Sequence, residues 1–89
     1  MKPVTVYTTP FCPYCTRALK LLRKKSAPVL EINAGFNAVK KQEMIQRSNG
    51  QRTFPQIFIA DIHVGGCDQL LELEAQGKLN GLLQSKHQN

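Results

Sequence analysis

The sequence predicts an α/β fold of order β-α-β-α-β-β-α, with a four-stranded mixed sheet flanked by helices. Three observations predict it. Along the chain the spacing of apolar residues switches between the period of a strand and that of a helix. A strand, a crossover helix and a second strand imply a parallel pair, which a short turn cannot connect. Two apolar runs flank a tight connection at Ala60-Asp61, which implies a hairpin and hence antiparallel strands in the same sheet.

Val4-Thr5-Val6-Tyr7 is β-branched and bounded by Pro3 and Pro10, and it reads as the first strand. From Pro13 to Lys25 the period changes: Cys15, Ala18, Leu19 and Leu22 recur as the apolar stripe of a helix. Pro13 suits the first helical position, where its missing N–H is not needed. Val29-Leu30-Glu31-Ile32 is the second strand. Ala38 to Ser48 is a helix with Asn37 as its N-cap and Gly50 as its stop. Gln56–Ala60 and Ile62–Val64 form the hairpin, with Ile62 and Val64 expected to face the core and His63 to face solvent. Asp68 to Gln76 is a third helix ended by Gly77, and Leu79–Leu83 adds a turn. The polar residues 84–89 read as a frayed tail.

The 89 residues suit one domain spanning 1–89, since domains usually run to about 100–150 residues. No apolar run approaches the roughly 18–20 residues of a membrane span. Residues 1–7 lack the apolar stretch and cleavage site of a secretory signal. Three cysteines leave one over if two pair, whereas small secreted scaffolds carry an even, denser set. The expectation is a reducing, cytoplasmic setting, with catalytic or metal-binding cysteines.

The formal charge is +6, and much of the excess is local. Arg17, Lys20, Arg23, Lys24, Lys25, Lys40 and Lys41 face only Glu31 between positions 17 and 41. The plain reading is a solvated helix face; the functional one is a field that draws anions. These residues lack interleaved aromatics and match no groove-binding motif, which argues against nucleic acid.

Cys12-Pro13-Tyr14-Cys15 is the strongest chemical signal. The two thiols sit at a strand-to-helix junction in unequal environments. Cys12 lies at the helix mouth, where unpaired N–H groups and the positive end of the dipole stabilise a thiolate. Cys15 is one turn further in, on the apolar face, where desolvation disfavours the thiolate. One cysteine attacks and the other resolves. The competing reading is zinc, since Cys12, Cys15, His63 and Cys67 supply four potential ligands. That site needs all four to converge, and an outward-facing His63 does not. Thr53-Phe54-Pro55 precedes the most apolar strand, and the residues alone favour a trans bond before Pro55. Gly65-Gly66-Cys67-Asp68 opens the third helix, where free N–H groups can hold an anion.

Together these segments, from Val4 to Leu83, resemble a dithiol glutaredoxin of the thioredoxin-like superfamily. The likeness rests on Cys12-Pro13-Tyr14-Cys15, Thr53-Phe54-Pro55 and Gly65-Gly66-Cys67-Asp68-Gln69-Leu70, in that order. The resemblance implies a thioredoxin-like fold and a cis peptide between Phe54 and Pro55. It implies a glutathione-dependent thiol–disulfide oxidoreductase that reduces glutathione mixed disulfides and protein disulfides. Cys12 and Cys15 would be catalytic; Tyr14, Arg52, Thr53, Phe54, Pro55, Gly66, Cys67 and Asp68 would hold glutathione. Glutathione is then the reducing co-substrate, with no permanent cofactor or metal, and the chain acts as a monomer. The chain departs from the family pattern where Phe54 replaces a smaller valine, Thr9 a common lysine, and Gln69 a second acid.

Overall fold

The computed structural model describes residues 1–84, and each expected element is present with ends shifted by at most one residue. The order is β1 (Val4–Thr8), α1 (Pro13–Lys24), β2 (Val29–Asn33), α2 (Ala38–Arg47), β3 (Gln56–Ile59), β4 (Ile62–Gly65), α3 (Cys67–Ala75) and α4 (Leu79–Gln84). The sheet runs β2-β1-β3-β4. β1 pairs with β2 in parallel, Val4 opposite Val29, and with β3 antiparallel, Val6 opposite Ile57. β3 and β4 form the hairpin, whose turn carries Ala60 at φ 51°.

The central strands bury both faces because strand side chains alternate. On one face Val4, Val6, Ile57 and Ile59 meet Ala18 and Leu22 of α1, Leu70 of α3, and Leu79 and Leu83 of α4. On the other, Tyr7 and Phe58 meet Ala34 and Met44. Leu22 has no exposed surface. Cutting it to alanine would cost about 2–5 kcal/mol, from lost transfer energy and the cavity left behind.

Local chemistry sets where the helices begin and end. Pro13 opens α1 directly after Cys12, and Arg23 and Lys24 sit at its negative C-terminal end. Ser26 then turns the chain at φ 61°. Asn37 caps α2 as expected, its Oδ1 accepting from Lys40 N–H at 3.0 Å. Gly65, at φ 115°, adopts a backbone that side chains rarely allow and delivers the chain to α3. Lys2 N–H donates to Leu83 O at 2.8 Å, which ties α4 to the N-terminal segment.

Two expectations need correction. Val64 packs on the core but Ile62 is 45% exposed, because β4 is an edge strand and Ile62 opens onto an uncovered groove beside Leu73 and Leu82. Gln84 is not tail but the last residue of α4; residues 85–89 lie outside the described chain. Among the described residues no helix is long and apolar enough to cross a membrane.

Candidate active site

The loop after β1 delivers Cys12 to the mouth of α1, where it is the N-cap. Its Sγ accepts a hydrogen bond from Cys15 N–H at 3.2 Å. A sulfur in that position satisfies an orphan N–H of the first turn, and it gains most when it carries negative charge. Thr16 N–H meanwhile donates to Cys12 O at 3.1 Å, which starts the helix. Cys12 is half-buried, whereas Cys15 is buried. Burial pushes the Cys15 thiol up to about 12, and its hydrogen bond and charge interaction with Cys12 push the same way. A backbone hydrogen bond from Thr9 opposes them.

Thr9 is held in turn by the chain after β2. A Cβ on Gly35 would lie 2.0 Å from Thr9 Oγ1, so only glycine lets the two loops meet this closely. The departure at position 9 therefore has a packing role: Thr9 fits directly against Gly35.

A second cavity, about 190 Å³, is lined by Tyr14, Thr53, Phe54, Pro55, Gly66, Cys67, Asp68 and Gln69. Seven of the eight residues expected to hold glutathione thus share one groove. Arg52 is not among its lining residues, and Gln69 takes the eighth place. The Phe54–Pro55 peptide is cis. This agrees with the resemblance and corrects the trans expectation drawn from the residues alone. Cys67 is buried at the first position of α3; burial raises its pKa, nearby Arg17 opposes that, and the charges of Asp68 and Cys12 add to it. Cys12 and Cys15 do not line this groove but a neighbouring cavity with Thr9, Pro10 and Glu31; Tyr14, between them in sequence, is the residue of that segment on the groove wall. Neither Arg52 nor Asp68 makes an ion pair among the described residues.

The zinc alternative fails on geometry. His63 turns to Gln56, its Nε2 2.7 Å from Gln56 Oε1, and stacks on Phe58. Among the described residues no three His, Cys, Asp or Glu side chains converge to hold a metal ion.

The glutaredoxin family model matches residues 4–64. The chain belongs to the glutaredoxin family. It is 49% identical over 83 residues to glutaredoxin 3 of Escherichia coli K12, a match covering 93% of this chain and 99% of that one. The solution structure of a glutaredoxin from Brucella melitensis is 48% identical, with a TM-score of 0.82 over 100% of this chain and 96% of that one. A buckwheat glutaredoxin–glutathione complex is 32% identical, with a TM-score of 0.83 over 94% and 78% of the two chains. The sheet order and flanking helices are those of the thioredoxin-like glutaredoxin fold. Like the glutaredoxins it matches, the chain is a thiol–disulfide oxidoreductase.

The sequence marks Gln69 only as a departure from the family pattern, without its capping role, and does not single out Gln56 behind the groove wall. Gln69 Oε1 accepts from Gly66 N–H at 2.8 Å, which caps the start of α3, whose first residues Cys67 and Asp68 line the groove. The spacing of a capping box, with a glutamine three residues after the N-cap, carried that signal. Gln56, buried with its amide turned back to Thr53, carried none, because it looks like any polar residue at a strand end.

Proposed function

We propose that this glutaredoxin reduces glutathione mixed disulfides through a Cys12 thiolate, with glutathione or Cys15 completing the cycle. The observation that carries the reading is the groove of Tyr14, Thr53–Pro55 and Gly66–Gln69, which takes Tyr14 from the Cys12–Cys15 segment and is flanked in sequence by Arg52, without an ion pair among the described residues. Glutathione is an extended tripeptide with two carboxylates and one ammonium. The backbone beside Phe54 can pair with it as an added strand. The Arg52 guanidinium suits one carboxylate and the N–H groups of Cys67 and Asp68 the other, leaving the Asp68 carboxylate for the ammonium.

The Cys12 thiolate attacks the glutathionyl sulfur of a glutathionylated protein. The old disulfide breaks, the protein leaves as a thiolate that takes a proton from water, and glutathione remains bonded to Cys12. A second glutathione thiolate then attacks that glutathionyl sulfur, releasing oxidised glutathione and regenerating the Cys12 thiolate. For a protein disulfide the first attack leaves the protein bonded to Cys12. Cys15 attacks Cys12 Sγ, expels the protein thiolate and closes the Cys12–Cys15 disulfide, which two glutathiones reduce. Two of the influences that hold Cys15 protonated come from Cys12 itself. They fade once Cys12 is in a mixed disulfide, which eases deprotonation of Cys15 at the step that needs it, although burial, the larger cause, continues to raise its pKa.

The enzyme acts as a monomer in the cytoplasm, on glutathionylated or disulfide-bearing proteins, with no nucleic acid, membrane or resident cofactor in the cycle. The test is steady-state reduction of a glutathionylated peptide, coupled to glutathione reductase. Saturable turnover with glutathione is expected. Turnover only with a thioredoxin-type reductase as electron donor would overturn the reading.

A further inference from the structure

Residues 49–55, which include one wall of the groove, belong to no helix or strand. Side chains fix their course at two points. At one end the buried Ser48 hydroxyl donates to Gln51 O at 3.1 Å. At the other, the Gln56 amide nitrogen donates to Thr53 O at 3.0 Å and to Thr53 Oγ1 at 3.1 Å. Gln56 is only 2% exposed, so its polar atoms must find partners within the protein.

The orientation of this amide follows from its partners. A backbone carbonyl can only accept, so the nitrogen of Gln56 faces Thr53 and the oxygen faces His63. That oxygen also only accepts, so the His63 Nε2, 2.7 Å away, carries the hydrogen. The imidazole is held in place by Phe58, its partner across the hairpin, with centroids 4.9 Å apart and planes 27° apart. The Arg47 guanidinium lies 4.1 Å from the centre of the same Phe58 ring.

We propose that His63 and Gln56 are positioning residues for the substrate groove: a hydrogen-bond chain from His63 through Gln56 to Thr53 sets the direction of the Thr53–Phe54–Pro55 wall. The inference rests on the glutathione reading for what the wall binds, but the chain itself is independent of it. A backbone edge that pairs with an extended peptide must already point the right way. Cys12 stands on a different loop, so loosening this wall weakens substrate binding and leaves the sulfur chemistry intact.

Three variants test it. His63→Phe keeps a ring against Phe58 and deletes the donor, leaving Gln56 Oε1 without its partner. His63→Gln loses the ring and restores an N–H donor. Gln56→Leu removes the chain at its centre. Loss of one such hydrogen bond corresponds to about a five- to tenfold change in affinity. With a glutathionylated peptide, His63→Phe and Gln56→Leu should raise KM by about that factor, with kcat within about twofold of wild type. His63→Gln should recover most of the loss. In wild type, ¹⁵N NMR should find the His63 proton on Nε2, and His63→Phe should move the backbone amide signals of Thr53 and Phe54.

A merely structural role would give lower thermal stability in both His63 variants without the KM change or the rescue. An Nδ1 proton, or unmoved Thr53 and Phe54 signals in His63→Phe, would overturn the chain itself. A wild-type enzyme that does not saturate with the glutathionylated peptide would instead overturn the glutathione reading, while the NMR result still decides the chain.

Discussion

The backbone N–H of Cys15 points at the Sγ of Cys12, 3.2 Å away, so in the proposed cycle Cys15 steadies the Cys12 thiolate with its backbone and resolves the mixed disulfide with its side chain. The two functions separate under mutation. Serine at position 15 keeps the N–H donor and loses the resolving thiol, whereas serine at position 12 loses the nucleophile.

Cys12→Ser should therefore abolish exchange on every substrate. Cys15→Ser should retain reduction of a glutathionylated peptide, because excess glutathione replaces the resolving thiol, and should lose reduction of intramolecular protein disulfides. Parallel assays of both variants on both substrates check this. Survival of exchange in Cys12→Ser alongside its loss in Cys15→Ser would reverse the roles.

Cys15 also makes the reduced protein sensitive to alkali. Its thiol titrates near 9.0 when unperturbed and is pushed up to about 12 in the fold, chiefly by burial and then by Cys12. The fold favours the neutral thiol, so this contribution to stability is complete below pH 9 and is lost as pH rises from about 9 to 12. Burial raises Tyr7 and Cys67 in the same direction, so the share of Cys15 is a difference between variants. Urea denaturation of reduced wild type and Cys15→Ser should show a steeper alkaline decline in the wild type. Parallel curves would contradict it.

Cys67 lines the groove at the start of α3, and the proposed glutathione site uses its backbone N–H, which can bind a carboxylate whatever side chain it carries. Cys67→Ser should keep most of the turnover on a glutathionylated peptide. A loss as deep as that of Cys12→Ser would place the Cys67 thiol in the chemistry.

The order of elements was legible because strand and helix periods differ and Pro13, Asn37 and Gly65 mark their boundaries with distinct backbone chemistry. The dithiol was legible because its four residues are consecutive. What stayed hidden depends on contacts between distant segments. Ile62 has the pattern of a core residue, but whether a helix covers it is decided by where α3 and α4 end. His63 faces outward on β4 as its place in the strand implied, but its partners Gln56 and Phe58 were not legible. The Phe54–Pro55 cis bond was visible only through family resemblance, because a lone X-Pro pair favours trans.

Tyr7, Glu43 and Arg47 form another such contact, joining β1 to α2. The Tyr7 hydroxyl donates to Glu43 Oε2 and accepts from Arg47 Nη1 at 3.0 Å. The hydrogen bond from Tyr7 is the main influence holding the Glu43 carboxyl below its ordinary value of 4.5. A depressed carboxyl stabilises the fold above pH 4.5 and stops doing so as pH falls through the folded value. Tyr7→Phe should cost about 1 kcal/mol at neutral pH, the Glu43 side chain being partly exposed. The deficit should shrink at pH 3, which denaturation at the two pH values measures. An equal deficit at both would assign the loss to the Arg47 hydrogen bond and to packing rather than to Glu43.

Asp68 carries the most specific prediction about the groove. The γ-glutamyl end of glutathione presents a carboxylate and an ammonium, which need opposite partners. Gln69 Oε1 is committed to Gly66 N–H, so it caps the helix rather than meeting the ligand, and Asp68 is the one acid lining the groove. A hydrogen bond to a charged group is worth about 1.5–3 kcal/mol, and exposure moves the effect toward the lower end, or roughly tenfold in affinity. Asp68→Asn should raise the apparent KM for glutathione about tenfold while leaving the helix start intact. Gln69→Ala should act through the fold instead: it strands the Gly66 N–H, costs about 1 kcal/mol as a lost cap, and weakens glutathione less than Asp68→Asn does. Gln69→Glu preserves the cap and adds a second acid, so it should bind glutathione at least as well as wild type. Equal glutathione kinetics for wild type and Asp68→Asn would take the Asp68 carboxylate out of the groove's recognition chemistry.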